Sequence, residues 1–205
     1  MPSITRRSVD PDRRASVEAE IVAATVRLLA EGVSFTELGV QRIAAEAGVA
    51  RSTFYTHFRD KSELLMRLAG TMRTSGYDIV ATWQLADGLD ALIDVFQRVT
   101  ALYREYAVVF AAISEVAGYD TAVREFWAAG SNRFLEFGGR ILEAEQQAGR
   151  VPADMDVTKA IRIIVIGGER AIADHVATTD DSSGDDAFGA ELAKIWWYGA
   201  YRRQP

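Results

Sequence analysis

The 205-residue sequence predicts an all-α protein of about nine helices, and three observations support this fold class. Apolar residues recur every three or four positions through most of the chain, which is the spacing of a buried helix face. Only four prolines occur, and none of them interrupts a long periodic segment. No Asn-Gly or similar dipeptide separates alternating apolar runs, so the hairpin turns of a β-sheet have no signal.

The first third of the chain predicts a short arm and three helices. Residues 1–15 are polar and rich in arginine, which favours a flexible arm. A first helix is predicted over residues 16–31, where apolar residues share one face and a glycine follows. The second and third helices are predicted over residues 40–47 and 51–57, with Gly48 between them.

A longer fourth helix is predicted to extend from about residue 60 to about residue 83. Asp60 and Glu63 have the spacing of a capping box and stand just before an apolar run that begins at Leu64. The remaining helices are predicted over residues 89–104, 107–117, 121–148, 157–177 and 187–201.

Composition excludes several classes of protein. The chain has no cysteine and only two histidines, so neither a disulfide framework nor a metal centre is expected. It has no Gly-rich phosphate loop, no His-Glu-x-x-His motif and no Gly-x-Ser-x-Gly motif, so we expect neither an enzyme nor a cofactor. No apolar run approaches the roughly 20 residues that cross a bilayer. The N-terminal arginines do not precede the apolar stretch of a secretory leader, so a soluble cytoplasmic protein is expected.

Charge is distributed unevenly along the chain. The net charge of the whole protein is −6, which would repel nucleic acid. Residues 1–67 contain ten Lys and Arg against nine Asp and Glu, a net charge of +1, whereas residues 68–205 carry −7. Any contact with DNA phosphates is therefore expected from the first third of the chain.

Residues 35–65 meet, in order, the structural demands of a helix-turn-helix. Ile43 and the small alanine after it are placed on the inner face of the first helix of the pair. Gly48 supplies the positive φ that a sharp turn needs. Phe54 and Phe58 lie four residues apart, so they anchor one face of the second helix in the core.

The opposite face of that second helix carries groups that suit the major groove of DNA. An arginine can pair with guanine or with a phosphate, and serine and threonine offer short, adaptable hydroxyls. Lys61, near the positive end of the fourth helix, is placed to meet a backbone phosphate. The candidate DNA-binding residues of the second helix are Arg51, Ser52, Thr53, Tyr55, Thr56 and His57.

The same segment resembles the N-terminal signature of the TetR family of bacterial repressors. The resemblance covers roughly residues 16–70, a quarter of the chain, and ordered residues with distinct structural roles recur over about thirty positions. The residues that carry it are Ile43, Ala44, 47–49, 52–55, Phe58 and 61–65.

The resemblance implies a three-helix DNA-binding domain in residues 16–60. It also implies a C-terminal domain in residues 61–205 that dimerises through its last two helices and holds an effector pocket. The expected partners are double-stranded operator DNA, a second copy of the chain and a small hydrophobic effector that releases the repressor, with no membrane partner. The DNA-backbone contacts that the resemblance implies are Thr36, Gln41, Arg42 and Lys61.

Other interpretations of these residues stay open. Tyr55 suits a phosphate contact or packing better than a base contact. His57 is explained equally well as a residue that does not contact DNA, and Arg42 as a solvated charge. A helical adaptor that binds only protein is a rival function. An activator is another, because the sign of regulation depends on where the operator lies.

The C-terminal two-thirds is rich in aromatic residues, whose spacing predicts a core as readily as a pocket. The stretches 125–134, 168–170 and 194–198 resemble the ethionamide-resistance repressor branch of the family, whose pocket is a long apolar tunnel. Asparagines that offer hydrogen bonds in that branch are replaced here by Val165 and Gly168. The ligand-binding residues that this likeness implies are Leu92, Phe96, Tyr103, Trp127, Phe134, Val165, Glu169 and Trp196.

Two features of the last helices have alternative explanations. Glu169 and Arg170 interrupt an apolar helix, and an ion pair at the helix surface is preferred over a pocket acid for Glu169. Dimerisation is expected through an apolar seam, although the same residues could pack within one subunit. The expected seam residues are Ile163, Ile166, Gly167, Gly168, Ile195 and Trp197.

Overall fold

The computed structural model describes residues 11–202, and within that range the chain forms nine α-helices and no strand. The prediction of an all-α protein is confirmed. The helices are α1 (Pro11–Ala30), α2 (Val40–Glu46), α3 (Arg51–His57), α4 (Lys61–Ala81), α5 (Gly88–Glu105), α6 (Ala107–Ala117), α7 (Thr121–Gln147), α8 (Val157–Thr178) and α9 (Asp185–Trp196). A π-helical turn, Trp197–Tyr201, continues α9.

Two helix boundaries differ from the prediction by five residues, and the others differ by at most two. α1 already includes residues 11–15, five residues before its predicted start. The predicted flexible arm, residues 1–15, is therefore wrong over residues 11–15, and residues 1–10 lie outside the described residues. α9 ends at Trp196, and the π-helical turn replaces the expected last turn of α-helix.

The helices form two compact units, and the division falls between Leu68 and Ala69, inside α4. The predicted boundary, between residues 60 and 61, lies at the start of the same helix. Because α4 runs without a break from Lys61 to Ala81, a single helix carries residues of both units. None of the described helices is long and apolar enough to cross a membrane.

The N-terminal unit has a core of fully buried side chains from α1 to the first turns of α4. Burial of each such side chain stabilises the fold by about 1.5–3 kcal/mol. The core includes Ile21, Leu28, Phe35, Leu38, Ile43, Phe54, Phe58, Leu64 and Leu65.

The start of α4 is capped by side chains, as predicted. The carboxylate of Asp60 accepts the backbone N–H of Glu63 at 2.8 Å. The carboxylate of Glu63 accepts the backbone N–H of Arg59, also at 2.8 Å, one residue before the expected partner. The first of these bonds satisfies an amide that the first turn of a helix leaves unpaired, and the second holds the residue before the cap.

In the C-terminal unit, α9 packs closely against α5. A Cβ atom added at Gly189 would lie 2.9 Å from both the backbone N and the Cα of Gln97, so only glycine allows this approach. Asp185, at the start of α9, accepts hydrogen bonds from Arg104 of α5 at 2.6 and 3.0 Å and lies 2.9 Å from His175 Nε2 of α8. Hydrogen bonds from Arg104, and then from His175, hold the pKa of the Asp185 carboxyl below its usual range. Three helices of this unit are thus joined at one buried carboxylate.

Candidate DNA-binding surface and ligand cavity

A sharp turn separates α2 from α3 and determines which way α3 faces. Gly48 has φ +67°, a conformation that residues with a side chain rarely adopt. The backbone N–H of Val49 donates to the carbonyl of Ala44 at 2.9 Å, which closes the turn. The predicted role of Gly48 is confirmed.

The inner faces of the two helices are buried as predicted. Ile43 and Ala44 of α2 are fully buried, and so are Phe54 of α3 and Phe58 just after it. The rings of Phe54 and Phe58 lie 5.6 Å apart, in direct contact. This pair holds α3 against the N-terminal unit, so its other face is directed to solvent.

The outer face of α3 presents a cluster of polar side chains. Arg51, Ser52, Tyr55 and Thr56 are exposed, and Tyr55 leaves 45% of its surface in solvent. The Arg51 guanidinium lies 5.8 Å from the centre of the Tyr55 ring. The other two predicted residues of this helix are less accessible. They are Thr53 and His57, which are half-buried, and His57 Nδ1 is buried without a hydrogen-bond partner among the described residues.

The residues predicted to contact flanking phosphates are accessible as well. Thr36 and Gln41 are exposed. Arg42 is exposed as well, and its guanidinium lies 3.2 Å from the Glu31 carboxylate. Exposed ion pairs of this kind stabilise a fold by only about 0–1 kcal/mol. Arg42 can therefore exchange Glu31 for a phosphate at little cost.

The ammonium group of Lys61 is bonded to the protein itself. Its Nζ donates to the carbonyl oxygens of Phe35 at 2.9 Å, Thr36 at 2.7 Å and Leu38 at 3.3 Å. An ammonium group has three N–H donors, and these three acceptors match them. The geometry thus favours Lys61 as a brace for the connector between α1 and α2 over the predicted phosphate contact.

Sequence reasoning missed one arginine near α3. The guanidinium of Arg14 donates to the backbone carbonyl of Thr56 at 3.4 Å. The sequence feature that could have indicated this contact is the arginine pair at residues 13 and 14, which was assigned to the predicted flexible arm. Because α1 already includes these residues, a helix holds Arg14 beside the end of α3.

The C-terminal unit encloses a mostly apolar cavity of about 80 Å³. That space is several times the roughly 10–15 Å³ that one water molecule needs. All eight of the predicted ligand-binding residues line it, together with further residues of α4, α5, α7 and α8. The predicted set is Leu92, Phe96, Tyr103, Trp127, Phe134, Val165, Glu169 and Trp196.

One end of the cavity is polar and is organised by a buried ion pair. Arg73 of α4 and Glu169 of α8 lie 3.2 Å apart, with 12% and 16% of their side chains exposed. The second carboxylate oxygen of Glu169 accepts Trp127 Nε1 at 2.9 Å. Arg73 also donates to Ser131 Oγ at 3.2 Å and stacks 3.7 Å from the Trp127 ring.

This arrangement corrects the preferred interpretation of Glu169. Glu169 does form an ion pair, but its partner is Arg73 inside the cavity, while the neighbouring Arg170 is exposed. Arg73 was not predicted, because its partner lies 96 residues away and no local pattern links the two. The glycine at 168, in place of a polar residue, accommodates Trp196, whose ring would lie 2.9 Å from an added Cβ.

Large apolar side chains are exposed on α8, at the end of α9 and on the π-helical turn that follows it. We refer to Ile163, Ile166, Ile195 and Tyr198 together as the exposed patch. Ile163 is 73% exposed and Ile195 is 60% exposed, so the subunit itself does not bury them. Of the other expected seam residues, Gly167 is exposed, Trp197 is half-buried and Gly168 is buried.

The chain resembles known proteins in both sequence and structure. Residues 21–68 match the family model described as bacterial regulatory proteins, tetR family. The chain is 25% identical over 205 residues to the HTH-type transcriptional regulator EthR of Mycolicibacterium smegmatis, covering 98% of this chain and 93% of that protein. Among solved structures, Salmonella enterica GusR has a TM-score of 0.69 at 15% identity, covering 96% of this chain and 97% of that one. FadR of Bacillus subtilis, in complex with stearoyl-CoA, has a TM-score of 0.66 at 21% identity, covering 86% and 96%.

The bonds of Lys61 give a first prediction. Lys61→Met keeps the aliphatic stem but removes the three hydrogen bonds, and we expect the free energy of unfolding to fall by about 2 kcal/mol. Arg59→Met, the matched control, removes a charge that is 75% exposed, so a change within about 0.5 kcal/mol is expected. Urea denaturation followed by circular dichroism measures both. Unchanged stability combined with weaker DNA binding would instead support the phosphate contact.

Proposed function

We propose that this chain, a member of the TetR family of bacterial helix-turn-helix transcriptional regulators, is a repressor. In this proposal it binds operator DNA as a homodimer and is released by a small hydrophobic effector. Like its relatives, it is a regulator and not an enzyme. The observation that carries the proposal is the exposed polar face of α3 after the Gly48 turn. Its proposed place of action is the cytoplasm, where bacterial DNA lies.

In the proposed complex, α3 is the recognition helix and enters the major groove. Arg51 reaches guanine or phosphate, Ser52 and Thr56 offer hydroxyls to base edges, and Tyr55 donates to a phosphate. Exposure supports these roles for all four side chains. The half-buried residues Thr53 and His57 would make secondary contacts, with Thr36, Gln41 and Arg42 on the flanking phosphates.

The proposed homodimer forms through the exposed patch on α8 and α9. Apolar side chains such as Ile163 and Ile195 are unfavourable in water, and a second copy of the same patch would bury them. A two-fold axis also suits the DNA, because two recognition helices must enter successive major grooves about 34–36 Å apart.

The proposed effector site is the cavity of the C-terminal unit. Its lining is apolar apart from a few polar groups, which is typical of a small-molecule site. The complex of FadR with stearoyl-CoA supports a hydrophobic ligand. Arg73 and Gly76 of α4 line the cavity, and α4 also carries Lys61 at its start. A ligand that displaces this helix would therefore act on the DNA-binding unit through a continuous backbone.

Operator binding is tested with DNA from the region upstream of the protein's own coding sequence. We expect Arg51→Ala to weaken a mobility shift by about 1–3 kcal/mol and to reduce the salt slope by about one. Tyr55→Phe should weaken it by a smaller factor, because only one hydroxyl is lost. Arg98→Ala, which removes a half-exposed arginine from α5, is the matched control and should bind as the parent does. Wild-type affinities that are equal for all DNA sequences, or absent, would contradict the proposal.

Effector release has its own test. A hydrophobic ligand that occupies the cavity should lower operator affinity about 5- to 150-fold, the usual range of allosteric coupling. Fluorescence anisotropy of labelled operator, with and without ligand, measures this factor. Linkage requires that operator DNA lower ligand affinity by the same factor. The mechanism is contradicted by a ligand that binds the cavity and leaves operator affinity unchanged.

Dimerisation is tested by charge on the patch. Ile163→Glu combined with Ile195→Glu should convert the protein to monomers at micromolar concentration, because four carboxylates would meet in one apolar interface. Tyr119→Glu is the matched control, since Tyr119 is also 60% exposed but lies outside the patch. Sedimentation velocity distinguishes the species. A double variant that still sediments as a dimer would place the interface elsewhere.

A further inference from the structure

The cavity is elongated and its two ends differ. On each of three helices, residues that line it lie eleven positions apart, namely Leu92 and Tyr103, Trp127 and Gly138, and Ile161 and Ile172. At 1.5 Å per residue, each pair spans about 16 Å. A cavity of about 80 Å³ over such a length is a narrow passage that suits a single extended chain.

Hydrogen bonds and ring contacts assign residues to the two ends. Trp127 and Glu169 are bonded to each other, and the Phe110 ring contacts both Trp127 and Tyr103, at 5.6 and 5.4 Å. These residues, with Arg73, form the polar end. The far end includes Trp83, Gly138, Ile161 and Tyr201, where the Trp83 and Tyr201 rings lie 5.1 Å apart.

The charges at the polar end already balance. Arg73 and Glu169 neutralise each other, and both oxygens of Glu169 are occupied, one by Arg73 and one by Trp127. A carboxylate brought to this end would add a negative charge without a new counterion, in a site that is largely closed to water. Desolvation of an uncompensated charge is strongly unfavourable.

Arg73 Nε is buried beside Gly130 without a hydrogen-bond partner among the described residues, so the donor that a ligand can reach at the polar end is the Tyr103 hydroxyl. Tyr103 lines the cavity, and no hydrogen bond involves its hydroxyl in residues 11–202. Burial, and then the nearby Glu169 carboxylate, raise the pKa of Tyr103 well above its usual value. The hydroxyl thus stays protonated and can donate to a neutral acceptor, whereas the field of Glu169 opposes an anion.

We propose that the effector is an extended apolar molecule with a neutral hydrogen-bond acceptor at one end, an ester, amide or ketone, which Tyr103 binds. The Arg73–Glu169 pair excludes the carboxylate of the same chain length. This inference rests on the proposal that the cavity is the effector site. It assigns the polar end of the cavity to Arg73, Tyr103, Trp127 and Glu169. Val165 and Gly168, which stand where the related branch has asparagines, offer no polar side chain.

The test compares methyl dodecanoate, dodecanamide and dodecanoate with the purified 205-residue chain at neutral pH, below their solubility limits and below the micelle-forming concentration of dodecanoate. Isothermal titration calorimetry gives the affinities, and quenching of Trp127 and Trp196, which line the cavity, reports occupancy. We expect the ester and the amide to bind at least about tenfold more tightly than the carboxylate, because only the carboxylate brings an uncompensated charge.

Variants then assign the selectivity to residues. Tyr103→Phe should lower the affinity for the ester by about fivefold. Tyr106→Phe, the matched control, removes the hydroxyl of a half-buried tyrosine that does not line the cavity, and its affinity is expected within about twofold of the wild type. Glu169→Gln leaves Arg73 without its counterion, so the preference for ester over carboxylate should fall at least about tenfold.

The outcomes separate this inference from the proposed function. Equal or tighter binding of dodecanoate by the wild-type protein overturns the inference but leaves the cavity as an effector site. Unchanged ester affinity in Tyr103→Phe overturns the assignment of Tyr103 as the donor at the polar end. If none of the three probes binds, the effector site itself is refuted, and the inference with it. The wild-type comparison needs no variant to fold.

Discussion

The turn at Gly48 is the constraint on which the N-terminal unit depends. A positive φ at this residue reverses the chain between two seven-residue helices, which are too short to be stable alone. Burial of Phe54 and Phe58 then fixes the rotation of α3 about its own axis. The polar face of α3 is exposed as a geometric consequence of that burial. Recognition of DNA, as proposed, is thus a by-product of how the unit folds.

Where local rules apply, the sequence predicted the structure well. The Gly48 turn, the inward phenylalanines and the Asp60 cap each depend on residues within five positions of one another, so their spacing is visible in the sequence. The hydrogen bonds of Lys61 were not predicted because their acceptors are backbone carbonyls 23 to 26 residues earlier. Carbonyls carry no sequence signal. The start of α1 was missed because an arginine-rich polar segment resembles a flexible arm as closely as it resembles an exposed helix.

The cavity residues were predicted from resemblance to a family branch and not from local sequence patterns. All eight predicted residues line the cavity. Periodicity alone could not have separated them from core residues, because both are large, apolar and spaced at helical intervals. Arg73 escaped prediction since its acceptors lie on α7 and α8, between 54 and 96 residues away. Buried polar networks are assembled by tertiary structure, and a single sequence does not reveal such pairings.

Helix α8 has a consequence for how such proteins diversify. Val165, Gly168 and Glu169 line the cavity, while Ile163 and Ile166, on interleaved positions of the same helix, form part of the exposed patch. A mutation of a cavity residue on this helix therefore lies one to three positions from a residue of the exposed patch. Pleiotropy of this kind directs adaptive change toward α5 and α7, whose cavity residues are independent of the patch. Natural drift and laboratory evolution of sensors are both subject to this bias.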